Sequence, residues 1–239
     1  MSQPFRRGER VYAPHCMEDV RFSLLPDRIE AASPSPMRIL SSAVHLGGYA
    51  AADRIVNWKV PLHYQCLDPV ADTVAQLRKW NYDPERTAAL LTAAKLTHAS
   101  LQEEEGGQFA AVCCATAGTS NAASAGSWRE TFSAYSPGTI NIIVLIDGHM
   151  TDGAIVNGII TITEAKSAAL RDLGIRDETT GKAATGTTTD AVVLGTRSSG
   201  RYQAVHPYAG GATTIGNAIG RLVYEAVYEA ARTQHENSC

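Results

Sequence analysis

The sequence predicts an α/β domain, with a mixed β-sheet and helices packed against it. Three observations carry this. Residues 139–146 are almost uninterruptedly apolar, the pattern of a strand buried on both faces. Residues 151–174 and 213–234 place apolar side chains at helical spacing. Hydrophobic residues make up 44% of the 239-residue chain, enough to cover a sheet on both sides. A layered α+β arrangement of αββα type satisfies the same pattern. Residues 37–239 are expected to form a single globular unit. Residues 1–36 are expected to add an extension of short strands packed on it.

Taken in order, residues 11–25 mix apolar and polar positions and predict one or two short strands. Residues 33–36 (SPSP) predict a turn. Residues 37–44 predict a strand running into His45, Leu46, Gly47 and Gly48. That glycine pair permits a tight turn or a close approach of ligand to backbone. Asp68-Pro69 and Asp83-Pro84 each place a capping acid ahead of a proline at the first helical position. They predict helices over about 69–80 and 84–96. Residues 103–107 predict a solvated turn, and residues 109–115 a strand of small side chains. Thr151 or Asp152 caps the next helix, which Gly174 ends. Thr213 or Thr214 caps the last, whose stripe runs Ile215, Ala218, Ile219, Leu222, Val223, Ala226, Val227, Ala230.

Composition excludes several classes of function. The net charge is −3, and no basic run exceeds Arg6-Arg7, so a nucleic-acid footprint is not expected. The polar first ten residues predict no signal peptide, and no apolar run spans a bilayer. The five cysteines are odd in number and include no Cys-x-x-Cys. They read as reduced thiols of a cytoplasmic protein, with Cys113 and Cys114 on opposite faces of a strand. Walker A, Gly-x-Gly-x-x-Gly and His-Glu-x-x-His patterns are absent, and no close spacing of metal ligands occurs. No cofactor or metal is expected.

Chemistry concentrates in three polar segments, each beside an apolar strand. Residues 184–190 (ATGTTTD) carry four threonines and a carboxylate. Residues 115–121 (ATAGTSN) and 138–141 (GTIN) share their texture. Strand ends of this kind are expected to converge on one pocket. Its binding wall would comprise Gly118, Ser120, Asn121, Asn141, Thr185, Gly186, Thr187 and Thr188, with Gly47 and Gly48. Asp190, Glu164 and His45 are the candidate catalytic side chains. Lys166 is unusual as a cation on the apolar stripe of Ile162 and Leu170; a snorkelling stem or a place at the pocket edge would explain it. Residues 118–122 approach the nucleophile elbow Gly-x-Ser-x-Gly, but end in Ala. Asp190 and His206 follow in the order a Ser120 triad requires. Thr187 would be a nucleophile only if the chain cleaved itself before it.

Residues 115–126, 138–146, 151–154 (TDGA), 163–166 (TEAK), 184–193 and 208–210 (YAG) resemble the adenosylcobinamide amidohydrolases over about residues 37–230. The resemblance implies hydrolysis of the amide between the aminopropanol arm and the corrin ring, within corrinoid salvage. Cobalt would enter only as part of that substrate. The expected mechanism has Glu164 or Asp190 activating water, while Asn121, Asn141 or backbone near Gly118 and Gly186 hold the oxyanion. A non-catalytic corrinoid-binding module and a serine hydrolase using Ser120 are the alternatives. A homodimer through the C-terminal helix competes with packing of its stripe on the sheet.

Overall fold

The computed structural model describes residues 2–64, 66–128 and 138–237. In chain order the strands are β1 Val11–Tyr12, β2 Arg21–Leu25, β3 Arg28–Ser41, β4 Gly48–Lys59, β5 Thr87–Thr92, β6 Ser100–Gly106, β7 Phe109–Ala117, β8 Ala122–Ala123, β9 Ile140–Asp147, β10 His149–Met150, β11 Gly186–Thr187, β12 Ala191–Arg197 and β13 Val205–His206. The helices are α1 Pro69–Lys79, α2 Asp152–Asp172 and α3 Thr214–Thr233.

Nine strands form one mixed sheet. Its path runs β3-β12-β9-β7-β6, with β12 parallel to β9. β3 pairs with β2 and then β12 along one edge, and with β4 along the other. β5 joins β4 in parallel. The sheet curls, so it encloses one core and turns its outer face to the helices. β9 shows the division residue by residue. Ile140, Ile142, Val144 and Ile146 pack against α2 and α3, whereas Ile143 and Leu145 face the enclosed core with Phe22, Ile39, Ile55 and Leu90. Cys113 and Cys114 split between the two cores in the same way.

Both long helices begin where the sequence marks them. Thr151 Oγ1 accepts from Ala154 N, and Thr213 Oγ1 accepts from Gly216 N. The 84–96 segment departs from expectation. Its helix formers give only the short turn Pro84–Arg86 and then strand β5. Pairing with β4 buries Ala88 and Leu90 in the enclosed core and Ala89 beneath α1, which outweighs local helix propensity. The prolines at 34 and 36 do not end a strand either. They sit in a bulge of β3, where the register with β4 shifts between Ala32 and Met37. β3 therefore crosses position 36 without interruption, and the expected N-terminal extension shares strands with the main sheet. Residues 103–105 belong to β6, and the chain turns after Gly106.

Candidate active site at the mouth of the curled sheet

The three polar segments converge. β8 pairs with β11, setting Ala122 opposite Thr187 and Ala123 opposite Gly186. Thr139 Oγ1 donates to Thr189 O at 2.7 Å, and Thr189 Oγ1 returns a bond to Gly138 O at 2.8 Å. Asn121 Nδ2 donates to Thr188 Oγ1 at 2.7 Å. Gly138 makes this closeness feasible. Its φ is +123°, and a Cβ there would stand 2.3 Å from Asn121 Oδ1.

Asp190 ties the assembly together. Oδ1 accepts from Ile140 N (3.0 Å) and Thr187 Oγ1 (2.5 Å). Oδ2 accepts from Thr187 N (3.0 Å) and Lys166 Nζ (2.5 Å). Four donors fill the four lone-pair positions of a carboxylate. The Lys166 and Asp190 side chains are only 10% and 11% exposed, so their ion pair is largely desolvated. Gly186 leaves room for it. A Cβ there would come within 2.3 Å of Asp190 Oδ2 and 2.7 Å of Lys166 Nζ.

Asp190 borders a cavity of about 490 Å³. Gly138, Thr139, Thr188, Thr189 and Asp190 make its polar wall. Val44, Val60, Leu62, Val70 and Leu91 supply its apolar lining. A mostly apolar cleft with a few convergent polar groups is the usual form of a small-molecule site. The floor nearby is a buried polar bridge across the curl. Asn141 Nδ2 donates to Asn57 Oδ1 (2.7 Å) and Leu91 O (2.8 Å), and Asn57 Nδ2 donates to Thr116 Oγ1 (2.8 Å).

The remaining candidates lie elsewhere or are already engaged. Asn141 is 1% exposed, and its amide hydrogens serve that bridge rather than a ligand. Gly118 N donates to Thr139 O. His45 exchanges backbone bonds with Ala89, and its Nε2 lies 2.8 Å from Pro84 O. Val44, not His45, reaches the cavity wall. Gly47 precedes β4, and Gly48 opens that strand opposite Ser41 at φ +82°. Glu164 is exposed on α2, two residues from Lys166 and so on another side of the helix. With Thr185 it borders a separate shallow cleft. Ser120 follows β7, but strand β8 comes next, where an elbow would lead into a helix. His206 packs at the opposite end of β7, its ring 5.8 Å from that of Phe109. A strand of nine residues, roughly 26 Å, separates them, so no Ser120 triad is assembled.

Sequence reasoning missed the apolar lining: Leu91 lies in a segment that reads as a helix, and Val44, Val60, Leu62 and Val70 come from separate parts of the chain that only the fold brings together. It marked Lys166 by the one signal available, a cation on an apolar stripe. Among the described residues no group of three or more His, Cys, Asp or Glu is placed to hold a metal ion. None of their helices is long and apolar enough to cross a membrane. Burial pushes the Cys113 thiol up, and the Cys114 thiol to about 12. Cys239 lies outside the described residues.

The model of the adenosylcobinamide amidohydrolase family matches residues 15–238. The chain belongs to that family. The match begins ahead of residue 37 and includes β2 and β3. An adenosylcobinamide amidohydrolase of Methanosarcina mazei is 30% identical over 191 residues, covering 76% of this chain and 84% of the relative. An uncharacterized protein of Methanocaldococcus jannaschii is 34% identical over 172 residues, covering 64% of this chain and 66% of that protein.

Proposed function

We propose that this protein hydrolyses the amide between the aminopropanol arm and the corrin ring of adenosylcobinamide, giving adenosylcobyric acid and aminopropanol or its phosphate. The observation that carries this is the cavity whose polar lining comes from Gly138-Thr139 and Thr188-Thr189-Asp190 and whose remaining lining is largely apolar. A corrin edge bears methyl groups and neutral amides. The apolar lining suits the former, and threonine hydroxyls suit the latter without a charge to desolvate.

Asp190 is the proposed acid–base group. Two of its four donors are backbone amides and a third is the Lys166 ammonium, whose departure would leave a buried carboxylate uncompensated; the Thr187 hydroxyl turns away without removing a charge. That frees Oδ1 for a water. The water proton passes to Asp190 as the oxygen attacks the amide carbon, and the same proton then passes to the departing amine. Lys166 keeps the carboxylate in place throughout. Glu164, outside the cavity, has no part in this step.

Adenosylcobinamide incubated with the protein and resolved by chromatography should give adenosylcobyric acid. Asp190→Asn should lower turnover at least about 10²-fold. A stable complex with no new product would instead identify a corrinoid-binding module.

A further inference from the structure

The geometry points to Thr188 as the side chain that donates a hydrogen bond to the substrate's amide oxygen as it becomes an oxyanion, with Asn121 as its positioning residue. This rests on the proposed hydrolysis.

The choice follows from where each cavity hydroxyl directs its hydrogen. Thr139 gives its hydrogen to Thr189 O, and Thr189 gives its own to Gly138 O. Tyr64 gives its hydrogen to Asp72 Oδ2 at 2.6 Å. Thr92 lines the cavity but is 1% exposed, and its oxygen accepts from Ala94 N. Thr188 is exposed at the cavity wall beside Asp190. Its oxygen accepts from Asn121 Nδ2, so one lone pair is occupied and the hydroxyl hydrogen is aimed elsewhere. The absence of a Cβ at Gly138 leaves room for the Asn121 amide oxygen beside it, while Nδ2 donates to Thr188. A hydroxyl fixed by a donor is itself a preorganised donor, the arrangement an oxyanion requires.

The test measures kcat and KM for adenosylcobinamide, with affinity read separately by equilibrium dialysis. Thr188→Val should lower kcat about 10²-fold or more while affinity changes by less than about threefold. Thr188→Ser should recover most of the rate. Asn121→Asp, whose carboxylate accepts the Thr188 hydrogen instead of donating to its oxygen, should match Thr188→Val. Combining the two should cost little beyond either alone. A Thr188→Val enzyme within threefold of wild-type kcat overturns the assignment, and so does a loss confined to affinity. If the wild-type protein forms no adenosylcobyric acid, the functional reading fails, and this assignment with it.

Discussion

At the scale of single residues, Asp190 and Lys166 make the pair on which the polar wall depends. Lys166 leaves an otherwise apolar stripe of α2 to reach a carboxylate that also fastens Ile140 N and Thr187 N. Lys166→Met should lower unfolding free energy by about 3–5 kcal/mol, because it leaves a buried carboxylate without its cation. Urea denaturation measures this. The double variant Lys166→Met with Asp190→Asn should recover part of the loss, because no uncompensated charge then remains. If the double variant is no more stable than Lys166→Met alone, the pair does not act as described. The sequence showed that Lys166 was out of place. It did not show its partner, because Asp190 lies 24 residues away and meets it only through the β11 turn.

At the scale of elements, the capping signals of the two long helices were read correctly. Thr151 and Thr213 cap α2 and α3, and Gly174 follows α2 at φ +69°. Thr213→Ala should cost about 1 kcal/mol, since Gly216 N loses its acceptor at the start of α3. That is a thermal shift of roughly 2–4 °C for a chain of this size. Thr213→Ser should restore it. The site elements were less legible where they depend on partners. Residues 87–92 carry alanine and leucine, good helix formers, and nothing local announces that β4 will pair with them. Residues 33–36 read as a turn, because tolerance of proline at a bulge depends on the neighbouring strands. The convergence of the polar strand entrances was legible because their composition sets their packing: hydroxyls and small residues lie close together and bond to one another.

At the scale of the whole molecule, the curl of the sheet explains both the cavity and the fate of Asn141. Bending β5 toward β9 puts Leu91 O within reach of the Asn141 amide, so a side chain expected to hold an oxyanion instead closes the barrel-like core. The ends of the chain are fastened at another point. Gln3 Nε2 donates to His98 O and Thr233 Oγ1, and His98 Nε2 lies 3.1 Å from Glu236 O. His98 is 2% exposed, and burial pushes its pKa below the ordinary 6.5. Arg6 and Lys95 push in the same direction, and Glu236 opposes them. The folded state thus favours the neutral ring more than the unfolded chain does. Stability from this source is present above pH 6.5 and is lost as pH falls from there through the folded-state value. Asp19 enters at lower pH. The hydrogen bond from Arg197 holds its carboxyl below 3.8, so its contribution also fades on acidification. Melting temperatures between pH 7.5 and 5.5 should therefore fall in the wild-type protein. They should change less with pH in His98→Gln, which keeps a polar side chain but has no proton to gain. Parallel curves for the two proteins would show that the acid-sensitive step lies elsewhere.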